Sequence, residues 1–440
     1  MAISPDRVVS ASSGSESPAN VAPYGATLAL LTTAFFMVGF TTVLNDILVP
    51  HLKSVFSLDY TQSLLVQFAF YLGYLAISFP AAKLIAAIGY KSAVILGFLG
   101  MAAASLLFVP ASMLLSYNVF LFALFALAAA CTLLQVAINP YVTVVGPPAT
   151  GSSRLTLVQG FNSLGTTLAP IFGGLLILRH DSSVTPSGNV QAAAINRVAD
   201  AHAVQLPYVL IALVLCGFAA LVWRSHLPHI NQQTKARAKS GGTTTSVWRH
   251  RNLTFGVITV VIYMIGEIGI GSTLVSFISQ PQIGNMSHAA ASGYVALFWG
   301  GMMVGRFLGA GIMRFIAPRT TLAITSVCAC SLAMCAAFGA GHFAMWSLVF
   351  IGLFQSIMFP TIFALGIEGL GGRTEEAGGF LIMAIAGGAA AVIQGVIADH
   401  VGLSLSYLLP AAGYVFMLFY ALWGSKPVLM GSGAVAREQV

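Results

Sequence analysis

The chain contains about a dozen apolar stretches that are each long enough to cross a lipid bilayer as a helix. A spanning helix needs about 20 mostly apolar residues, and the stretches that qualify are 26–49, 61–85, 92–110, 117–145, 154–178, 205–226, 252–279, 289–314, 320–340, 344–369, 375–398 and 402–424. Strands of a membrane barrel alternate apolar and polar residues, whereas these runs are apolar on every side. Only 7% of the residues are charged, against about 25% in soluble domains. We therefore predict an all-α membrane protein with 12 transmembrane helices.

The basic residues predict how these helices are oriented. With a cytoplasmic N-terminus, 15 of the 19 Lys and Arg face the cytoplasm, Arg306 lies inside a span, and 3 face outside: Lys53, Arg179 and Arg197. Cytoplasmic loops carry such an excess of Lys and Arg. The first apolar run is too long for the core of a cleaved signal peptide. We expect a multi-pass protein of the bacterial inner membrane with both termini cytoplasmic, and no nucleic-acid partner.

The two halves of the chain resemble each other in sequence. FFMVGF (35–40) matches IYMIGE (262–267), and LLQVAINPYVTVVG (133–146) matches LFQSIMFPTIFALG (353–366). Two parallel six-helix repeats resemble the plan of major facilitator transporters, whose substrate site lies between the halves near the midplane. The predicted organisation has five parts: a cytoplasmic tail (1–25), a six-helix bundle (26–226), a cytoplasmic linker (227–251), a second bundle (252–424) and a tail (425–440).

Only three charged residues fall unambiguously inside predicted spans: Asp46, Glu267 and Arg306. A charge in the hydrocarbon costs about 2.5–3.5 kcal/mol on insertion scales, so each is a functional hypothesis. Asp46 lies in the outer third of the first span, where a partly desolvated carboxylate can exchange a proton or simply face solvent. Glu267 lies near the midplane of the seventh span, as a substrate or proton residue or a structural carboxylate. Arg306 lies near the cytoplasmic end of the eighth span, where it can snorkel, and we expect it to play a structural part at the inner mouth.

Neutral amide side chains cluster on the fourth and fifth predicted spans. Gln135 and Asn139 are four residues apart, and Gln159 and Asn162 three apart, so each pair lies on one helix face. Amides both donate and accept hydrogen bonds, as sugar hydroxyls do, although interhelical bonding would also use them. Three further residues extend the candidate substrate set: Asn45, Gln67 and Gln355. Three aromatic residues are candidates to cover an apolar sugar face: Phe36, Tyr263 and Trp299.

Other chemistries lack a matching pattern in the sequence. The nine His show no metal-ligand spacing and no phosphate-binding loop is present, so we expect no metal, no cofactor and no direct use of ATP. The five Cys lie in apolar runs and are expected to be packing residues. The sequence offers no nucleophile cluster at a membrane surface, and its longest polar segments are too short for a soluble signalling domain. Transport by a monomer is therefore favoured over an enzyme or a sensor.

Four segments resemble signatures of a known family: TTVLNDILVPHLKSVF, LLVQFAFYLGYLAISFPAAKL, LQVAINPYVTVVGPP and SSRLTLVQGFNSLGTTLAP. They are similar to the fucose:proton symporter family, the fucose, glucose and galactose branch of the major facilitator superfamily. The resemblance implies uptake of a hexose by alternating access, driven by protons. It places the essential first-helix carboxylate at Asp46 and makes Gln159 and Asn162 sugar contacts.

Gln135 departs from the fucose-type pattern. The resemblance implies a second carboxylate on the fourth span in fucose-type members, whereas Gln135 occupies that position here, as in glucose/galactose-like members. Because an amide cannot carry a proton, either Asp46 alone couples transport or Glu267 assists. A glucose- or galactose-like hexose is favoured. Fucose, N-acetylglucosamine, sodium coupling and facilitated diffusion of another polar solute remain alternatives.

Overall fold

The protein was analysed as a computed structural model, which describes residues 24–56, 60–114, 116–176, 205–225 and 246–427. The structure describes the backbone but not the side chains of residues 24, 44–56, 60–68, 170–176 and 288–289. Within these ranges the secondary structure is almost wholly helical, as predicted. Most of both predicted tails and most of the predicted linker fall outside the described residues.

Six long helices make up the first half of the protein: Tyr24–Phe56, Tyr60–Ile88, Tyr90–Met113, Tyr117–Val144, Gly151–Leu176 and Gln205–Arg224. The second half contributes the seventh to ninth spans as Arg251–Ile278, His288–Ile312 and Pro318–Phe338. Its tenth, eleventh and twelfth spans run over Gly341–Gly366, Gly371–Val401 and Leu403–Gly424. All of these except the fifth helix contain a described stretch that is long and apolar enough to cross a membrane. The prediction of 12 transmembrane helices is confirmed.

The last three spans are irregular. The tenth is divided into helices Gly341–Gln355 and Met358–Gly366. The eleventh contains a 3-10 segment over Ala384–Ala391, and the twelfth ends in π-helical turns over Tyr420–Gly424. Non-helical backbone at membrane depth is tolerated where it is buried in protein or lines a cavity. All three interruptions lie in the second half of the protein.

The two halves repeat one packing pattern. In the first half, the first helix packs on the fifth, the second on the fourth, and the third on both the fourth and the sixth. In the second half the same pairs recur six spans later: seventh on eleventh, eighth on tenth, and ninth on both tenth and twelfth. Between the halves, the fifth span packs on the eighth and the second on the eleventh. The protein therefore has the major facilitator fold, with two pseudo-symmetric six-helix bundles.

The halves meet tightly at one end of the bundle, which we term the closed end. Ser153 Oγ donates to the carbonyl of Ala310 at 2.5 Å, and Phe79 packs on Phe380 with ring centroids 5.7 Å apart. These residues lie where the second and eighth spans end and the fifth and eleventh begin. A cavity of about 470 Å³ also lies here between the halves, with Thr143, Ser152, Arg319 and Glu368 among its lining residues. The predicted amide residues do not line it.

Candidate functional site

Three of the predicted amide residues form one hydrogen-bonded chain between the fourth and fifth spans. Gln159 Nε2 donates to Asn139 Oδ1 at 3.0 Å, and Asn139 Nδ2 donates to the backbone carbonyl of Gln135 at 2.8 Å. Gln135 Nε2 in turn donates to the Tyr74 hydroxyl on the second span at 2.6 Å. Asn139 and Gln159 are buried, and Gln135 is half-buried. We term Gln135, Asn139 and Gln159 the amide cluster.

Asn162 contacts the first span instead of joining this chain. Its Nδ2 donates to the carbonyl of Phe35 at 2.9 Å. Two glycines permit the close approach: a Cβ added at Gly39 would overlap the backbone oxygen of Asn162, and one added at Gly165 would overlap that of Phe36. Small residues at helix contacts let membrane helices approach this closely. The helix that carries Asp46 therefore packs directly against the helix that carries Asn162.

Three predicted site residues lie in the parts of the first and second helices, 44–56 and 60–68, whose side chains the structure does not describe. Asn45 and Asp46 lie in the first helix, and Gln67 lies in the second. Their proposed roles in proton and sugar binding stay predictions.

The second half contributes a buried polar group around the seventh span. Tyr263 and Glu267 are one turn apart on the same helix face and both buried, close enough for their side chains to interact. The Tyr263 hydroxyl lies 3.5 Å from the backbone oxygen of Gln355. Neither amide atom of Gln355, nor the hydroxyl of Tyr414 near Glu267, has a hydrogen-bond partner among the described residues. Since buried polar groups normally have partners, Gln355 and Tyr414 keep bonding capacity for a polar solute.

Arg306 turns inward between the halves and does not snorkel towards the membrane surface. Its Nη1 donates across the interface to the Gln159 carbonyl at 3.3 Å and to Ser163 Oγ. Its Nε donates to the Ser356 carbonyl at 3.2 Å, and it is close enough to Glu267 for a charge interaction. These acceptors, all inside the protein, take three hydrogen bonds from Nε and Nη1 of the partly buried guanidinium.

The three aromatic candidates differ in their surroundings. Tyr263 is fully buried beside Glu267, and Phe36 is half-buried and stacks on Phe40. Trp299 is 41% exposed and lies against Gly271 of the seventh span. Phe36 is therefore the candidate that lies along the contact between the first and fifth spans.

Two pseudo-symmetric bundles with buried polar groups on facing helices define a membrane transporter of the major facilitator type. The Major Facilitator Superfamily model matches residues 30–392. A glucose/galactose transporter of Brucella abortus is 46% identical over 405 residues, which cover 92% of this chain and 95% of the relative. An L-fucose-proton symporter of Escherichia coli is 32% identical, covering 90% of this chain and 93% of the relative.

A crystal structure of the Escherichia coli fucose:proton symporter superposes with a TM-score of 0.80 at 30% identity, covering 91% of this chain and 99% of that chain. A second structure of that transporter, in the outward conformation, matches equally well. The chain belongs to the Major Facilitator Superfamily, in the branch that contains the glucose/galactose transporters and the fucose:proton symporters.

Proposed function

We propose that this protein is a secondary active transporter that imports a hexose such as glucose or galactose together with protons, by alternating access. The observation that carries the proposal is the amide cluster, in which two buried amides and one half-buried amide, linked by hydrogen bonds, can both donate and accept. The Brucella abortus relative, 46% identical to this chain, is named a glucose/galactose transporter. Membrane transport, and not catalysis, is the function that this architecture serves.

The proposed sugar site draws on both halves. Gln135, Asn139, Gln159 and Asn162 supply donors and acceptors from the first half, with Asn45 and Gln67 completing that side. Gln355 contributes an amide from the second half, and neither atom of this amide has a hydrogen-bond partner among the described residues. The Tyr414 hydroxyl, also in the second half, lies near the buried carboxyl group of Glu267. A sugar held between these groups bonds to both bundles at once, as a site for alternating access requires.

The proposed proton path uses carboxylates. Asp46 is the main proton carrier, and Glu267, buried beside Tyr263, is the second. Gln135 takes no part in proton transfer because an amide does not ionise in this range. Protonation of Asp46 would remove a charge from the helix that packs on Asn162 and so link proton binding to sugar binding.

The proposed orientation makes the closed end cytoplasmic, since the loops there carry the excess of basic residues. The halves meet at that end, which corresponds to an outward-facing state. The N-terminal tail (1–25), the linker (227–251) and the C-terminal tail (425–440) then lie in the cytoplasm. The protein would act as a monomer in the bacterial inner membrane.

Uptake into proteoliposomes tests this function. We expect an inward proton gradient to concentrate labelled glucose or galactose above the external level, and a sodium gradient at fixed pH to have no effect. A panel containing fucose and N-acetylglucosamine as competitors identifies the preferred sugar. Accumulation driven by sodium alone, or equilibration without accumulation, would replace proton symport by sodium coupling or facilitated diffusion.

A further inference from the structure

A proline in the tenth span creates an acceptor for Arg306. A helical residue normally donates its backbone N–H to the carbonyl four residues earlier, and proline has no N–H. Pro360 therefore leaves the carbonyl of Ser356 without its helical partner, at the point where the tenth span is interrupted. Arg306 Nε donates to this carbonyl at 3.2 Å. The guanidinium is thus anchored within its own half.

The same guanidinium reaches one turn of the fifth span in the other half, residues 159–163, which we term the sugar-binding turn. Arg306 Nη1 donates to the Gln159 carbonyl and to Ser163 Oγ, and Ser163 Oγ donates to the Gln159 carbonyl at 3.2 Å. This turn carries Gln159 of the amide cluster and Asn162, which bonds to the first span. Arg306 therefore bonds to the backbone that positions both proposed sugar residues.

The charge of Arg306 gives these contacts weight, because hydrogen bonds with an ionised partner are roughly twice as strong as neutral ones. The cross-half bonds lie towards the closed end, where the eighth span packs on the fifth. When alternating access separates the halves at that end, these bonds must break.

We propose that Arg306 is a positioning residue. Its hydrogen bonds hold the sugar-binding turn against the second half, and we term these cross-half bonds the tether. The tether stabilises the closed end and fixes the positions of Gln159 and Asn162 at the same time. The tether is inferred from the hydrogen bonds of Arg306 alone, whereas its effect on sugar binding rests on the proposed function. A sugar that bonds to this turn while the tether is intact favours the state with this end closed.

Distances between spin labels across the closed end test the tether without any sugar. The labels replace Ala149 and Ala317, two exposed alanines on loops of opposite halves, in a background with the five native Cys replaced. We expect Arg306→Met to change the ratio of short to long distances by about tenfold towards long, because a hydrogen bond to a charged group contributes at least that factor. Arg306→Lys, which keeps the charge, restores part of the short population.

Arg251→Met is the matched control. Arg251 stacks on Trp423 and donates to the carbonyl of Lys426, both in its own half, so its loss should leave the distances as in wild type. Unchanged distances in a folded Arg306→Met variant would overturn the proposal. If that variant does not fold, Ser163→Ala decides: it removes a cross-half acceptor, and wild-type distances in it contradict the tether.

Sugar affinity separates positioning from closure. Cross-linking the same cysteine pair holds the closed end shut, so any remaining effect of Arg306→Met reports on the sugar-binding turn. We expect the Kd for glucose or galactose to rise about tenfold in cross-linked Arg306→Met and to stay unchanged in cross-linked Arg251→Met. Equal affinities would remove the positioning role. A wild-type protein that binds neither sugar would instead contradict the proposed function and leave the distance result standing.

Discussion

Gln159 of the fifth span donates its Nε2 hydrogen to Asn139 Oδ1 of the fourth span at 3.0 Å, and this bond joins two helices into one polar surface. The bond fixes the orientation of both amides. Asn139 Nδ2 is already directed to the Gln135 carbonyl, so its oxygen accepts from Gln159. Gln159 keeps a second N–H and its oxygen for a further partner. The cluster therefore presents a defined arrangement of donors and acceptors.

We predict that Gln159 and Asn139 act together in binding sugar. Residues in one hydrogen-bond network show interaction energies of about 0.5–3 kcal/mol in double-mutant cycles. Gln159→Ala and Asn139→Ala should each weaken glucose binding by about tenfold, and the double variant by much less than the product. Titration by thermal shift measures all four proteins. Gln205→Ala is the control, because Gln205 bonds to Ser112 outside the cluster. Strictly additive losses would show that the two amides bind independently.

We predict that Gly39 is intolerant of a side chain. A methyl group at this position would overlap the backbone of Asn162 and separate the first and fifth helices, and overpacking typically costs about 1–3 kcal/mol. Gly39→Ala should therefore lower both the melting temperature and the transport rate. Gly217 of the sixth span has open space around its added Cβ, so Gly217→Ala should leave both unchanged or raise stability slightly. Equal behaviour of the two variants would contradict the close helix contact.

We predict that Gln135→Glu adds a second titratable group to the pathway. Tyr74, whose hydroxyl lies 2.6 Å from Gln135 Nε2, can donate to the new carboxylate, and the fold should be retained. The ratio of protons to sugar, measured from paired fluxes in proteoliposomes, should exceed the wild-type value. Gln135→Ala, which brings no carboxylate, should not raise the ratio. A Gln135→Glu protein that transports with the wild-type ratio would exclude a coupling role for this position.

We predict that His250, at the entry to the seventh span, makes stability depend on pH. Burial and the nearby Arg373 lower the pKa of His250 from its ordinary value of 6.5. The unfolded chain therefore binds more protons than the folded protein just below that value, and stability falls as pH drops through and below it. The melting temperature should decline less between pH 7 and pH 5 in His250→Gln than in wild type. Arg373→Met should flatten the decline in the same direction, and an undiminished decline in both would contradict this origin.

Periodicity and hydropathy predicted much of the fold because they depend on residues near one another in the chain. The predicted twelfth span, 402–424, coincides closely with Leu403–Gly424. The spacing of Gln135 and Asn139 placed them on one face, and the Asn139 side chain does bond one turn back to Gln135. The sequence repeats correctly indicated that each half packs in the same way.

Contacts between distant parts of the chain could not be predicted in this way. Distance along the eighth span placed Arg306 near the surface, but its acceptors come from the fifth and tenth spans. Spacing also does not indicate that Asn162 would bond to the first span while Gln159 bonds to the fourth. Pro360 is the sequence signal that could have located the Ser356 carbonyl as an acceptor for Arg306, because a proline inside a helix leaves the carbonyl four residues earlier without its helical partner.

Sugar-driven proton movement in de-energised vesicles tests the central claim most directly. Addition of glucose or galactose should alkalinise the external medium in wild-type vesicles, because sugar entering down its gradient carries protons with it. Asp46→Asn, which cannot ionise, should abolish this signal while sugar binding by thermal shift persists. A sugar that binds and enters without any change in external pH, or an alkalinisation that survives Asp46→Asn unchanged, would contradict proton symport through Asp46.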